Sequence, residues 1–299
     1  MAHSRRMADP RDDFSNLEGP ARAVAEASRR PRSLVYLTLG LSVVLSWLVL
    51  LSMSRRAAEI QGGGPGSNLL EALPALELPG FLETFFVLCL SPSAPGGAAG
   101  EFFALLAMWV LMSVAMMLPS AAPMIRTYCE IGDTAAAKGE AAVSPLVLVA
   151  GYLAVWSGVA LIFATVTAIL RALGHDLGAP LGSVAAAVIL GLAGLYQFSG
   201  LKDACLEKCR NPFTILFARW SVRPIRIFVL GMEQGVWCVG CCWALMLVMF
   251  AVGTMNLFWM VLIGIFSLVE KQEAGRVFTR LAGGILLVWA AALLVASLS

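Results

Sequence analysis

The chain has 299 residues, 59% of them hydrophobic and 13% charged, with a formal net charge of +2. Soluble domains average roughly 25% charged residues. A single soluble core cannot absorb this much apolar surface, so the composition excludes an ordinary soluble protein and points to an integral membrane one.

Residues 1–32, rich in Arg, Ala, Asp and Pro, are expected to form a disordered cytoplasmic tail, ahead of an integral membrane domain over 33–299. Seven apolar segments follow, near 34–53, 102–122, 146–170, 182–200, 228–250, 255–269 and 281–298. Each is close to the ~20 residues that a helix needs to cross ~30 Å of hydrocarbon. The predicted fold is therefore all-α, a polytopic transmembrane helix bundle of about seven spans. The first segment is too long, and too far from the start, for a cleavable signal, and Ser54-Arg55-Arg56 stands where a cleavage site would be. It reads as an anchor in a bacterial inner membrane.

The outer loop 54–100 carries Gly62-Gly63-Gly64-Pro65-Gly66, a cluster that punctuates structure. A weaker apolar stretch over 80–90 is too short to span and is expected to be interfacial or re-entrant. Segments five and six are joined by a few residues around 253–256, which predicts a tight antiparallel hairpin. The last segment, without an interior polar group, reads as a packing element.

Basic residues set the orientation. Eighteen of the 21 Lys and Arg fall in 1–33, 123–145, 201–227 and 270–280. Positive charge stays on the cytoplasmic side, so the N-terminus is expected inside and the C-terminus in the periplasm.

Sulfur is the main chemical signal. Cys238, Cys242, Met246 and Met249 follow the series i, i+4, i+8, i+11, which lies on one helical face. They occupy an arc of about 80° and a line about 16 Å long, with Cys241 at its border. Met108, Met112 and Met116 form a second stripe, before Pro119 bends or ends that helix. Thiolates and thioethers favour Cu(I), with Zn²⁺ or an iron–sulfur centre as poorer fits. Met is also an ordinary core filler, so packing stays open as the role of the Met stripe. Cys205 and Cys209, at i and i+4 among charged residues, form a third element expected at the water boundary.

Polar residues mark the same region. Glu233, Gln234, Gln197 and Tyr196 sit where lipid makes them costly and should face a cavity, a partner or an ion. Glu270, near the inner boundary, is expected to snorkel to water. Gly231, Gly235 and Gly240 narrow segment five and allow close helix approach, which would suit the Met-bearing helix. Only two histidines are present, so nucleophile–His catalysis has no raw material. No phosphate-binding glycine loop and no nucleic-acid site stand out, and the reading favours a non-enzyme.

Several blocks together resemble a known family: Met108-Trp109, Ala115-Met116-Met117-Leu118-Pro119, Tyr196-Gln197, Leu201-Lys202, Cys205-Leu206, Cys209-Arg210-Asn211-Pro212, Gly240-Cys241-Cys242-Trp243, Gly253-Thr254-Met255-Asn256 and Glu270-Lys271. They are similar to the bacterial family of predicted metal-binding integral membrane proteins, the domain of unknown function 2182, over a core of about 102–271. The resemblance implies soft-metal handling, and members are sometimes described as copper chaperones. Relatives often carry His where this chain has Gln234. An amide replaces imidazole poorly as a ligand, so the resemblance implies a ligand set that leans on sulfur.

The leading expectation is a membrane protein that binds Cu(I) for transport or for delivery to a membrane cuproenzyme, with a copper donor or acceptor protein as partner. Cys238, Cys241 and Cys242 would bind first, Met246, Met249, Met108, Met112 and Met116 would exchange the ion, and Cys205 and Cys209 would form a cytoplasmic gate. Two alternatives remain open. One is a thiol–disulfide oxidoreductase using Cys238 and Cys241, with Cys89 as an outer partner. The other is a structural accessory subunit.

Overall fold

The computed structural model describes residues 31–61, 97–139, 141–174, 182–254, 256–273 and 275–298. The expected tail to residue 30, the stretch 80–90, Cys89 and both histidines lie outside the described residues. Those described are helical apart from short connections: α1 (Pro31–Gln61), α2 (Gly97–Ser120), α3 (Ala122–Ala137), α4 (Pro145–Ala172), α5 (Ser183–Tyr196), α6 (Gly200–Arg210), α7 (Pro212–Ala218), α8 (Pro224–Val252), α9 (Leu257–Gln272) and α10 (Val277–Leu298).

Two compact units are distinguished, Met1–Leu41 and Ser42–Ser299. In the first, the described residues open α1, where the Thr38 hydroxyl donates to the Val35 carbonyl at 2.9 Å. The second holds the bundle.

Five helices are long and apolar enough to cross a membrane: those over Ser33–Arg55, Ala98–Ser120, Pro145–Ala172, Pro224–Val252 and Val277–Leu298. The pair α5 and α6 makes a sixth if counted as one span, although it is bent by 64°. At 16 residues, about 24 Å, α9 is short of the hydrocarbon thickness. The chain is thus a multi-pass membrane protein with five or six long apolar spans among the described residues.

Helix α8 is the axis of the bundle, with α4, α5, α6 and α9 packed against it. Its contact with α4 is made by glycine. A Cβ at Gly231 would overlap the Leu148 carbonyl oxygen, and one at Gly151 would overlap that of Phe228. At Gly235 a Cβ would lie 2.9 Å from Val155 Cβ. Here the structure differs from the sequence expectation, because the glycines receive α4 and α6 rather than the Met-bearing α2. Gly231, Gly235, Cys238 and Cys242 share one face at 100° per residue. The glycines bring α4 close along the first half of that face, and α2 is met further along it.

Proline shapes the end of α2. Pro119 has no N–H to give the carbonyl of Ala115, four residues back, and Trp47 Nε1 donates to that oxygen instead at 3.0 Å. The helix stops at Ser120, and α3 restarts with Pro123 in its first turn. Between α8 and α9, Gly253 takes a left-handed φ of 96°, a conformation that suits glycine. The Asn256 side chain caps α9.

Beside the bundle, the Tyr128 hydroxyl on α3 donates to the Val143 carbonyl at 3.0 Å. Burial, with the adjacent Cys129 thiol, pushes its pKa up to about 12, so it stays a protonated donor. The final helix α10 starts ahead of the apolar segment 281–298. Its Thr279 hydroxyl is buried and donates to Glu270 Oε1 at 2.7 Å.

Candidate metal centre

Three of the thiols are brought together by one helix. Cys238, Cys241 and Cys242 are 3%, 1% and 1% exposed, and their sulfurs all lie within 4.8 Å of one another. Cys238 and Cys242, one turn apart, have sulfurs 4.0 Å apart. The Cys238 carbonyl accepts from the Cys241 thiol at 3.1 Å and the Cys242 thiol at 2.8 Å. These bonds fold both side chains back toward the start of α8, the direction that helical side chains favour. All six described cysteines are free thiols.

A fourth thiol joins from another helix. Cys209 Sγ lies 3.9 Å from Cys241 Sγ. Cys205 and Cys209, expected as a separate element, are thereby joined to the trio on α8. The bend after α5 lays α6 along α8 instead of letting it run outward. Cys205 is buried against Gly240, where a Cβ would come within 2.5 Å of its sulfur. Cys209 is half-buried, the least enclosed member of the cluster.

One thioether meets the thiols, and it is not one of the predicted stripe. Cys242 Sγ is 3.6 Å from Met117 Sδ. Met108, Met112, Met116, Met246 and Met249 are all buried in the core. Met116 packs instead on α9, 3.7 Å from where a Gly264 Cβ would stand. The Met116-Met117 doublet was the available signal, since adjacent residues point to different faces.

The polar partners of the sulfurs were missed. Lys271 Nζ donates to Cys238 Sγ at 2.9 Å and to the Ser120 hydroxyl at 2.7 Å. The Tyr152 hydroxyl lies 3.0 Å from Cys238 Sγ and donates to the Met117 carbonyl at 3.0 Å. Nothing in helical spacing marks Tyr152. Lys271 stood in the Glu270-Lys271 block without an assigned role.

A second buried pair braces the helices around the thiols. Lys202 and Glu270, 0% and 1% exposed, are joined at 3.0 Å. Lys202 Nζ also donates to the Cys241 carbonyl at 2.9 Å. Arg210 donates to the Glu270 carbonyl from Nε at 3.1 Å and Nη2 at 2.8 Å. The expectation that Glu270 snorkels is corrected: its carboxylate is buried and is held by Lys202 and Thr279. Glu233 pairs with Arg219 at the surface. Tyr196 donates to the Gly240 carbonyl.

The three thiols form a group that could hold a metal ion. At metal–sulfur bonds of ~2.3 Å, sulfurs around one ion stand ~3.8 Å apart in a tetrahedral set, ~4.0 Å in a trigonal one and ~4.6 Å in a linear pair. Two thiol pairs, Cys209 with Cys241 at 3.9 Å and Cys238 with Cys242 at 4.0 Å, already stand at such separations.

These features define a class: a multi-pass membrane protein with a buried, sulfur-rich group between its helices that could hold a metal ion. A family model, PpoB2, described as copper chaperone, matches residues 106–293, and the chain belongs to that family. No curated protein and no solved structure matches the chain.

Proposed function

We propose that this protein takes up Cu(I) at Cys209, holds it among Cys238, Cys241 and Cys242, and passes it on for delivery to a membrane cuproenzyme or across the bilayer. The observation that carries the reading is the meeting of Cys209 with Cys241 at 3.9 Å. It joins a half-exposed thiol on one helix to a buried trio on another. The sulfur chain then continues from Cys242 to Met117 at 3.6 Å. Thiolates grip a soft ion strongly and thioethers less so, and that gradient favours release toward α2. The Met stripe of Met108, Met112 and Met116, with Met246 and Met249, would act beyond Met117 as weaker exchange ligands, and Cys205 as a neighbour of the uptake site.

Orientation follows from charge. With positive residues inside, the ends of α2, α6 and α9 that carry Ser120, Cys209 and Lys271 face the cytoplasm of a bacterial inner membrane. Seven crossings, counting the bent pair and α9, leave the C-terminus on the far side.

The test is elemental analysis of purified protein after loading, comparing the wild-type chain with Cys238→Ser/Cys242→Ser and Cys209→Ser. The expected result is near-stoichiometric copper in the first, loss in the double variant and slower uptake in the third. Copper content that ignores the double substitution would remove the proposal.

A further inference from the structure

We infer that a cavity beside the start of α8 is a binding site for the phosphate headgroup of an anionic phospholipid. The inference rests on the membrane-spanning fold and is independent of the copper reading.

The cavity is about 470 Å³ and is lined by Arg219, Trp220, Arg226 and Glu233 with apolar Ile225 and Val229. Its depth in the bilayer follows from length. Helix α8 has 29 residues, about 43 Å, against ~30 Å of hydrocarbon. Arg223 and Arg226 at its opening, against an apolar far end, put the excess length there, so Arg226 and the adjoining Arg219 stand in the headgroup layer.

The chemistry of the lining is that of a phosphate ester at an interface. Two guanidiniums face one carboxylate, leaving net positive charge. Glu233 holds Arg219 in place, and Arg226 has no ion-pair partner among the described residues. Trp220 forms a wall of the cavity, its ring held against Tyr128 with centres 5.1 Å apart.

The apolar lining fits the rest of the lipid. Ile225, Val229, Met232 and Val236 are exposed in succession down α8, at spacings that share a face, giving an acyl chain a continuous track from the cavity into the hydrocarbon. On the other side, α7 exposes Phe213 and Phe217, stacked with ring centres 5.5 Å apart. Exposed aromatics beside Arg are the pattern of a segment lying at the membrane surface. Basic pockets between helices on the cytoplasmic side take anionic headgroups.

The experiment uses the full chain in detergent, equilibrated with equal phosphatidylglycerol and phosphatidylcholine, with retained lipid read by native mass spectrometry. The expected result is a roughly five- to tenfold preference for phosphatidylglycerol. Arg219→Gln/Arg226→Gln should abolish it and Arg219→Lys/Arg226→Lys should largely keep it. Arg226→Gln alone, at an exposed position, decides the matter should the double variant fail to fold. Copper stoichiometry should be unchanged in all of them, which separates this inference from the copper proposal. Equal retention of the two lipids, or a preference that survives loss of both arginines, would overturn it. So would complete displacement of the lipid by inorganic phosphate, which would reassign the cavity to the free ion.

Discussion

Gly231→Ala is the substitution whose cost can be worked most directly from the geometry. A Cβ there overlaps the Leu148 carbonyl oxygen, lies 2.9 Å from its carbon and reaches 3.2 Å from Gly151 Cα. All three are backbone atoms, so no side-chain rotation relieves the crowding. Restoring ordinary separations of about 3.5 Å requires α4 to move from α8 by roughly 1.5 Å. Tyr152 adjoins Gly151, so its 3.0 Å bond to Cys238 on α8 would open to about 4.5 Å, where it does not survive. Overpacking costs about 1–3 kcal/mol, and the lost hydrogen bond about 1 kcal/mol. The expected destabilisation is about 2–4 kcal/mol, measured by reversible unfolding in mixed micelles. Gly158→Ala is the control on α4, since nothing lies within 4 Å of a Cβ there, and it should be neutral or slightly stabilising. Tyr152→Phe removes the hydroxyl without the crowding and should cost about 1–2 kcal/mol. Equal stability of Gly231→Ala and Gly158→Ala would refute the glycine-made contact between α4 and α8.

Two further outcomes bear on the thiols. Lys271→Met removes a cation 2.9 Å from Cys238 Sγ. Breaking a buried pair costs about 3–5 kcal/mol, so Cu(I) affinity against a chromophoric chelator should fall by a hundredfold or more (~1.4 kcal/mol per decade), and an unchanged affinity would deny Lys271 any part in holding the ion. Gly240→Ala puts a Cβ 2.5 Å from Cys205 Sγ and 3.3 Å from its Cβ, pushing α6 outward with Cys209. X-ray absorption should then count one fewer sulfur on copper, with the loss reversed by adding Cys205→Ala; a count untouched by Gly240→Ala would refute the link.

What the sequence disclosed follows the range of its signals. Helical periodicity is local, so the shared face of Cys238 and Cys242 was legible, as were the apolar helices and the end of α2 at Pro119. Contacts between helices were not. Cys209 reaches Cys241 because the chain bends sharply between Tyr196 and Gly200, and no residue in Gln197-Phe198-Ser199 encodes that angle. Met117 was passed over because a strict four-residue repeat selects Met116, while the facing helix selects whichever of the two points toward it. Glu270 illustrates a different limit. A carboxylate near the end of a span reads as snorkelling until its partner is known, and Lys202 lies 68 positions away.

The two buried lysines divide the electrostatic work around the thiols. Lys202 and Glu270 cancel each other at 3.0 Å, and Thr279 and Arg210 satisfy the remaining oxygens of Glu270. That pair brings no net charge to the cluster; it fixes α6 to α8 through the Cys241 carbonyl, and so fixes the position of Cys209. Among the described residues Lys271 has no carboxylate against it, and it donates to the Cys238 sulfur and the Ser120 hydroxyl. An isolated ammonium among buried apolar side chains is expensive, so its natural counterpart is an anion formed at the sulfurs. Cu(I) on two thiolates carries one negative charge, as does Zn²⁺ on three, and either would be neutralised by Lys271. Charge therefore favours a thiolate-bound metal without choosing between the two. The choice of Cu(I) rests on the softness of the ligands, with Met117 thioether beside Cys242 at 3.6 Å as the feature that Zn²⁺ has least use for.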